Sequence, residues 1–211
     1  AIAINGTNDV PVHTGQVMHV VFDDDAAFTV NLLAGATDVD ASDTLTVSNL
    51  VKVSGDESGI TVNGNALSVD PLSYNALGPT QSSVVTYNYS ITDGNGASVA
   101  QTAMIMINGT DDALVVTGAV TGAATDADGT FTVDLLSGTT DADSSDTLWA
   151  SGVTHSSGDT SGITVSGNTL SVDPTAYNSL AADATEVITY TYDVSNNNGE
   201  TETQTATVTI T

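Results

Sequence analysis

Polar and apolar residues alternate with a period of two along most of the chain, which is the pattern of half-buried β-strands. The alternation is clearest in two sets of three segments: residues 28–32, 60–62 and 85–91, and then residues 131–135, 163–165 and 188–192. Turn-forming sequences such as Asn63-Gly64-Asn65 separate the segments. Helical periodicity is nearly absent, and the best candidate is a single turn at residues 71–77. The pattern therefore predicts an all-β chain.

The pattern repeats. When the chain is shifted by 103 positions it overlays on itself without a gap, so that Phe28 falls on Phe131 and Pro71 on Pro174. Each repeat is large enough to bury a core of its own. About seven short strands per repeat, with turn signals every 8 to 12 residues, are typical of a sandwich. We therefore expect two tandem Greek-key antiparallel β-sandwich domains, residues 1–107 and 108–211, joined by a linker at about 108–113.

A boundary sequence marks the start of each repeat. Residues 4–9 recur at 107–112 with one change, and the same sequence is due again from Ile210, where the chain stops. We expect the chain to be a tandem pair from a longer array of such repeats.

The charge balance limits the partners of the chain. It carries 26 acidic residues and a net charge of -25, against which stands one cation, Lys52. Salt bridges within the chain cannot neutralise these carboxylates, which must be hydrated or share external cations. Such a potential repels phosphate backbones and anionic lipids, so we expect no nucleic acid partner and no membrane insertion. The expected partners are neighbouring repeats of the same chain, and we expect a monomer.

The acidic residues repeat as faithfully as the core. Eight of the eleven acids in the first repeat fall on another aspartate, although chance at 13% charged residues would match one or two. The matched first-repeat residues are Asp9, Asp23, Asp25, Asp38, Asp40, Asp43, Asp56 and Asp70. This coincidence indicates that the carboxylates hold something.

Strand order predicts where these acids lie. Because successive strands run in opposite directions, Asp23, Asp25 and Asp70 should lie at the lower end of the first sandwich, and Asp38, Asp40, Asp43 and Asp93 at its upper end. The last strand then leads into the linker, so the lower end of the first domain, the linker and the upper end of the second should meet. The residues expected around that joint are Asp23, Asp25, Asp70, Asn108, Asp111, Asp112, Asp141 and Asp143.

An all-oxygen cluster without His or Cys suits a hard cation. Calcium takes six to eight oxygen ligands in irregular geometry, which loops and linkers can supply more easily than the strict octahedron of magnesium. In an Asp-x-Asp sequence, alternate side chains of an extended loop can point at one ion. The alternative for any single motif is a solubilising loop acid. The repeated set favours Ca²⁺ as the bound ion.

Four short sequences carry a resemblance to a known family. They are Ala-Thr-Asp-Val-Asp at 36–40, Leu-Ser-Val-Asp-Pro at 67–71, Ile-Thr-Asp-Gly at 91–94 and Ile-Asn-Gly-Thr-Asp-Asp at 107–112. Their order resembles that of the calcium signatures of cadherin repeats. The whole chain resembles the cadherin-like (VCBS or Ig-like) tandem repeats of giant bacterial RTX-type surface adhesins that leave the cell by type I secretion. The resemblance implies an extracellular extender that calcium rigidifies at its joints and that projects a distal ligand-binding region.

The resemblance also implies a set of calcium ligands. At the central joint they would be Asn108, the carbonyl of Thr110, Asp111 and Asp112, with Asp23 or Asp25 and Asp70 from above and Asp141, Asp143 and Asn196 from below. At the two outer boundaries the equivalents would be Asn5, Asn8, Asp9, Asp38, Asp40 and Asp93, and Asp126, Asp128 and Asp173. Asn196 replaces an aspartate and would coordinate through its amide oxygen. Leu72 stands where cadherins offer a second acid.

Other functions have less support. None of the three histidines recurs between the repeats, so we expect no enzymatic activity. A sandwich that binds no metal is one alternative. The other is an adhesion domain that binds a ligand or self-associates in a calcium-dependent way, which would need an exposed apolar or aromatic patch not shared by both repeats.

Overall fold

The computed structural model describes all 211 residues, which divide into two compact units, Ala1–Asp111 and Asp112–Thr211. The strands of the first unit are β1 (Val12–His13), β2 (Val17–Phe22), β3 (Phe28–Asn31), β4 (Ala36–Thr37), β5 (Thr46–Ser54), β6 (Ile60–Asn63), β7 (Ala66–Val69), β8 (Ser82–Thr92) and β9 (Ser98–Asn108). A one-turn 3₁₀ helix, Pro71–Tyr74, follows β7.

The second unit repeats this order. Its strands are β10 (Val115–Val116), β11 (Val120–Ala124), β12 (Phe131–Asp134), β13 (Thr139–Thr140), β14 (Trp149–Ser157), β15 (Ile163–Ser166), β16 (Thr169–Val172), β17 (Glu186–Ser195) and β18 (Thr201–Ile210). Its 3₁₀ helix is Pro174–Tyr177. No helix of the chain is both long and apolar enough to cross a membrane.

Each unit is a sandwich of a four-stranded and a three-stranded sheet. In the first unit the sheet orders are β2-β9-β8-β5 and β3-β7-β6, and β1 pairs with β4. In the second they are β11-β18-β17-β14 and β12-β16-β15, with β10 paired to β13. The predicted all-β class and two-sandwich architecture are confirmed.

One pairing differs from the antiparallel sandwich that we expected. The strand β2 runs parallel to the last strand β9, and β11 runs parallel to β18. The reason is that the first strand leaves its partner β4 near Gly15, where φ is +89°, and joins the edge of the other sheet. Residue alternation cannot reveal this, because parallel and antiparallel strands share the same period.

Every unit has its own apolar core, filled by the inward-facing residues of both sheets. In the first unit Leu32, Leu67 and Ile105 are fully buried, and in the second Leu135 and Leu170 are. The alternation along the strands therefore reports the core correctly.

Tyr89 and Tyr192, which occupy equivalent positions in the two repeats, are core residues. The Tyr89 hydroxyl donates a hydrogen bond to the Leu32 carbonyl at 2.9 Å, and Tyr192 donates to Leu135 at 2.8 Å. Burial raises the pKa of Tyr192 to about 12, with a smaller contribution from the negative charge of Asp134. These hydroxyls satisfy buried carbonyl groups between the sheets.

Candidate metal centres

The upper end of the first unit brings together carboxylates that are far apart in sequence. Carboxylate oxygens of Asp38, Asp43 and Asp93 all lie within 4.8 Å of one another. Pairing of Thr46 with Thr92 places the loop that precedes β5 beside the hairpin that follows β8. The strand order thus produces the cluster, and Asp43 belongs to it although it was left out of the ligand set inferred from the resemblance. Its coincidence with Asp146 in the overlay of the repeats was the available signal.

Asp93 is a buried carboxylate that remains charged. It is 2% exposed. Its Oδ2 accepts a hydrogen bond from Asn8 Nδ2 at 2.8 Å, and its Oδ1 accepts three more from backbone N–H groups of residues 95–97. These hydrogen bonds lower the pKa of Asp93 because they favour the ionised form, and the bond from Asn8 has the largest effect. The same carboxylate therefore shapes the hairpin and holds a negative charge beside Asp38 and Asp43.

Two oxygens of this cluster are buried without a hydrogen-bond donor. Asp38 uses Oδ1 to accept from Asp40 N at 2.9 Å, and Asp43 uses Oδ1 to accept from Asn95 Nδ2 at 2.7 Å, whereas Oδ2 of both is unpartnered. The single lysine, Lys52, pairs with Glu57 at 3.4 Å. A buried carboxylate oxygen without donor or cation is unfavourable. The ligand atoms here are all carboxylate oxygens, and no cationic side chain lies beside them to balance their charge. This arrangement fits a hard divalent cation.

The N-terminal boundary sequence is held at this cluster. Asn8 donates to Asp93, and the Asp9 backbone N–H donates to Asp40 Oδ2 at 2.8 Å. Asn5 is exposed and makes no hydrogen bond. The structure thus brings four of the expected outer-boundary residues together at the upper end: Asn8, Asp38, Asp40 and Asp93. A fifth, Asp9, contacts this group through its backbone N–H.

The upper end of the second unit reproduces these hydrogen bonds. Asp143 N donates to Asp141 Oδ1 at 3.1 Å, and Asp112 N donates to Asp143 Oδ2 at 2.9 Å. Asp143 is 2% exposed, its Oδ1 is buried without a partner, and one of its oxygens lies within 4.8 Å of an Asp146 oxygen. Burial raises the pKa of Asp143, and the negative charges of Asp112, Asp146 and Asp141 raise it further. This carboxyl group lacks the positive neighbour that would stabilise its charge.

Asn196 changes the chemistry of this end. Its amide oxygen accepts from Asn198 N and Glu200 N at 3.1 and 3.0 Å, as Asp93 Oδ1 does in its own hairpin. Its NH₂ group donates to Asp141 and Asp146 at 3.0 and 2.9 Å. The amide oxygen, which we expected to be a ligand, therefore accepts hydrogen bonds from the backbone. The amide donors stabilise the two carboxylates through hydrogen bonds without adding a positive charge.

Glu200 is a residue that the sequence comparison missed. It occupies the position of Ala97, so no repeated acid marked it. Its Oε2 accepts from Leu114 N at 2.8 Å and from Asn196 Nδ2 at 3.2 Å. It restores at this end the negative charge that Asn196 removes.

The lower end of the first unit is organised by Asp23. This residue is 0% exposed, and its Oδ1 accepts from Thr110 N at 2.9 Å and Thr110 Oγ1 at 2.8 Å, while its Oδ2 is buried without a partner. The parallel register that pairs Phe22 with Asn108 places Asp23 directly beside the boundary sequence. Asp25 instead is exposed and accepts from Phe22 N at 2.8 Å, closing its own turn. Asp23 is therefore the better candidate of the two.

Glycine is required inside the boundary sequence. Gly109 is buried, and a Cβ at this position would collide with the carbonyl oxygens of Leu77 and Gly78. The chain leaves β9 beneath the loop that follows the 3₁₀ helix, and only a residue without a side chain fits there. The Asn-Gly-Thr sequence thus has a steric reason as well as a polar one.

The remaining candidates are engaged locally. Asp70 is exposed, and its only side-chain hydrogen bond is a long one, 3.5 Å, from Ser73, with none to Asp23 or Thr110. Asp173 accepts from Thr175 N and Oγ1. Asp128 accepts from Thr125 N at 2.7 Å, which lowers its pKa. Half-buried Asp126 and exposed Asp111 complete the set. The structure does not gather Asp70 and Asp173 with the other acids of their own units.

Comparison with known proteins agrees with this architecture. The family model of the cadherin-like domain matches residues 7–108. Human mucin-like protocadherin EC1-2 has a TM-score of 0.52 at 12% identity, over 95% of this chain and 98% of that one. Drosophila N-cadherin EC1-4 has a TM-score of 0.43 at 13% identity, and the match covers 97% of this chain and 50% of the N-cadherin chain. An endo-fucoidan hydrolase of glycoside hydrolase family 107 has a TM-score of 0.32 at 15% identity, and the match covers 96% of this chain and 34% of the hydrolase chain. No curated protein sequence matches the chain.

The comparisons show the fold of the chain. The cadherin-like domain model matches residues 7–108, just under half of the chain, and both units have a β-sandwich fold similar to that of the protocadherin EC1-2 structure. The chain spans half of the Drosophila structure and a third of the hydrolase structure. The resemblance to cadherin repeats seen in the sequence is thus supported by the family model for the first repeat and by the fold for both repeats.

Proposed function

We propose that this chain is a calcium-rigidified extender module of a large bacterial cell-surface adhesin, which projects a distal ligand-binding region away from the cell. The observation that carries the proposal is the set of buried carboxylate oxygens without a donor at the domain ends: those of Asp23, Asp38, Asp43 and Asp143. Cadherin-like domains are generally calcium-binding and extracellular. The proposed role is non-enzymatic.

The residues at the domain ends are suited to hold the ion. In the first unit Asp38, Asp43 and Asp93 would supply ligand oxygens, and Asn8 fixes the orientation of Asp93. In the second unit Asp143 and Asp146 would do so. Bound Ca²⁺ supplies the positive charge and oxygen coordination that these carboxylates lack.

Stiffening of the array follows from where the carboxylates stand in the sequence. The boundary sequence contributes Asn108, Thr110, Asp111 and Asp112 to the proposed joint at 108–113, so an ion held there constrains the linker. Without the ion, repulsion among the carboxylates favours a flexible linker. Extracellular calcium modules bind at about 10⁻⁴ to 10⁻³ M, so an array of this kind would be empty in the cytosol and loaded outside. Its partners would be the neighbouring repeats.

Small-angle X-ray scattering tests the proposal. The maximum dimension of the chain should be larger and its distance distribution narrower in calcium chloride than in chelator. Asp23→Asn should weaken the response, because it removes a charge and leaves an amide next to Thr110. The matched control is Asp183→Asn, which removes an exposed charge in a loop outside the candidate sites. An identical scattering profile with and without calcium would overturn the proposal.

A further inference from the structure

The outer face of the four-stranded sheet in the first unit carries an unusual set of apolar side chains. All three methionines of the chain, Met18, Met104 and Met106, lie on β2 and β9. Met18 is paired with Met104, and Val20 with Met106. Val84 on β8 is paired with Met106 from the other side. We call the six residues Met18, Val20, Phe22, Val84, Met104 and Met106 the methionine face.

The methionine face is exposed. Met18, Val20 and Phe22 are 52–53% exposed and Val84 is 38% exposed. Together with the half-buried Met104 and Met106 they form roughly 400 Å² of apolar surface, within the range of about 300–600 Å² that is often functional on a monomer. The opposite faces of these strands fill the core, so nothing inside the unit requires apolar residues here.

The second unit serves as an internal control. At the positions equivalent to the methionine face it has Thr121, Ala123, Thr125, Val187, Thr207 and Thr209. The same sheet therefore folds with threonine and alanine at five of these six positions. The fold of this sheet therefore does not require apolar residues at these positions.

The distribution of acidic residues indicates what kind of partner covers the methionine face. The four strands β2, β5, β8 and β9 contain no acidic residue, whereas the equivalent strands of the second unit contain Glu186, Asp193 and Glu202. Two copies of a chain with a net charge of -25 repel each other wherever acidic loops meet. The strands of the three-stranded sheet, β3, β6 and β7, also lack acidic residues, but only the four-stranded sheet combines the absence of carboxylates with the methionine face. An apolar face without charge is also complementary to itself. These properties fit a second copy of this chain.

The area of this sheet face is also sufficient for an interface between two copies. A stable interface buries about 800 Å² per partner. The methionine face supplies about half of this. The polar upper part of the same sheet, where Asn88, Ser90 and Thr102 line a shallow depression, can supply the rest. Two sheets facing each other about 10 Å apart allow such packing around a two-fold axis.

We propose that the chain self-associates through the methionine face of its first unit, sheet against sheet, with the second unit taking no part. This goes beyond the extender function and does not depend on it. It also departs from the monomer expected from the sequence, in that copies brought to high local concentration would pair. The unshared apolar patch is the feature that a self-associating domain was expected to have.

Sedimentation equilibrium in calcium chloride with 0.5 M NaCl, up to about 0.5 mM protein, tests this. The apparent mass should rise from 21.2 kDa toward twice that value. The variant Met18→Thr/Met104→Thr/Met106→Thr, which copies the second unit, should weaken association at least tenfold. Val62→Thr, which alters an exposed valine on the other sheet, should leave association unchanged. Thermal unfolding of each variant checks that it is folded.

Two results would overturn the inference: a mass of 21.2 kDa at every concentration, or association of the triple variant as strong as that of the unaltered chain. Flotation with phosphatidylcholine vesicles tests a lipid surface as the other occupant. Binding of the unaltered chain but not of the triple variant to vesicles, without self-association, would assign the face to lipid. Failure of self-association leaves the scattering response to calcium intact, so the two proposals fail separately.

Discussion

At the scale of single residues, the unusual groups are carboxylates that are buried without a counter-charge. Asp143 shows this most clearly, because burial and three neighbouring acids all raise its pKa. Asp23 and Asp143 each bind one backbone N–H with one oxygen and leave the other oxygen buried. Such residues are unfavourable in the ion-free domain and favourable once a cation is bound.

Asp143→Asn should therefore have opposite effects in two buffers. In chelator the variant should be more stable by about 1 kcal/mol, because it removes an unpartnered buried charge and keeps an acceptor for Asp112 N. In saturating calcium it should be less stable than the unaltered chain. Thermal unfolding followed by circular dichroism measures both, with Asp183→Asn as the control. Equal destabilisation in both buffers would contradict a cation role for Asp143.

A second residue-scale prediction concerns alkaline pH. The pKa of Tyr192 is raised from 10.0 to about 12, so the folded state holds its proton more tightly than the unfolded state. Its contribution to stability is full below about pH 10 and is lost as the pH rises toward 12. Tyr192→Phe should lower the free energy of unfolding at pH 7 by about 1 kcal/mol, because the hydrogen bond to the Leu135 carbonyl is lost. The decrease in the free energy of unfolding above pH 10 should then be less steep than in the unaltered chain.

The measurement is denaturant unfolding at a series of pH values, with tyrosinate absorbance recorded in parallel. Tyr89→Phe is the matched variant in the first unit, because Tyr89 donates the equivalent bond to Leu32. A decline of equal slope in the Tyr192→Phe chain would show that this hydroxyl does not titrate on unfolding.

At the scale of elements, the hairpins β8–β9 and β17–β18 are built by the same device with different charges. Asp93 in one and Asn196 in the other accept backbone N–H groups of their own turn. The turn therefore needs an acceptor at this position and does not need a charge. The charge that Asp93 adds is available for the cluster with Asp38 and Asp43.

Exchanging the two residues tests this. Asp93→Asn should fold, because Asn196 already fills the role, and should lose most of the thermal shift that calcium gives the first unit. Asn196→Asp should lower the melting temperature of the second unit in chelator, since it places a fourth carboxylate among Asp141, Asp146 and Glu200. Calcium should restore that loss. Unchanged calcium shifts in both variants would separate this position from ion binding.

At the scale of the whole molecule, the chain combines two independent cores with a large excess of negative charge. Each unit buries its own leucine, isoleucine and tyrosine residues. Self-repulsion from a net charge of -25 opposes the compact state and is screened by salt. Stability in chelator should therefore depend on ionic strength.

Raising NaCl from 0.02 to 1 M in chelator should raise the melting temperature, and millimolar calcium should raise it further at either salt concentration. Screening acts on all the carboxylates, whereas specific binding acts on the few at the domain ends. At 100 times the dissociation constant, one site adds about 2.7 kcal/mol. Magnesium at equal concentration is the control, because it lowers the same general repulsion. Equal shifts with magnesium and calcium would reduce the calcium effect to screening.

The fold could be predicted from the sequence because its signals are local. Alternation in segments such as 28–32 and 131–135, together with Asn-Gly turns, fixes strands and faces, and the 103-residue period gives two domains. The repeated aspartates also include Asp38 and Asp43, two of the three residues of the upper cluster. The parallel pairing of β2 with β9 was missed, because pairing direction depends on which edge a strand joins and leaves no mark on its residues.

The site was predictable only in part. Asp23 and Asp25 are indistinguishable as Asp-x-Asp, but one is buried against Thr110 and the other caps an exposed turn. Glu200 has no counterpart in the first repeat, and Asn196 directs its amide donors toward three carboxylates. The sequence by itself determined the strands, the repeats and the acidic ends, since these follow from period and composition. Tertiary structure alone decided which carboxylate oxygens are buried without a donor and which sheet face is apolar and uncharged, because burial and facing depend on segments that are distant in sequence.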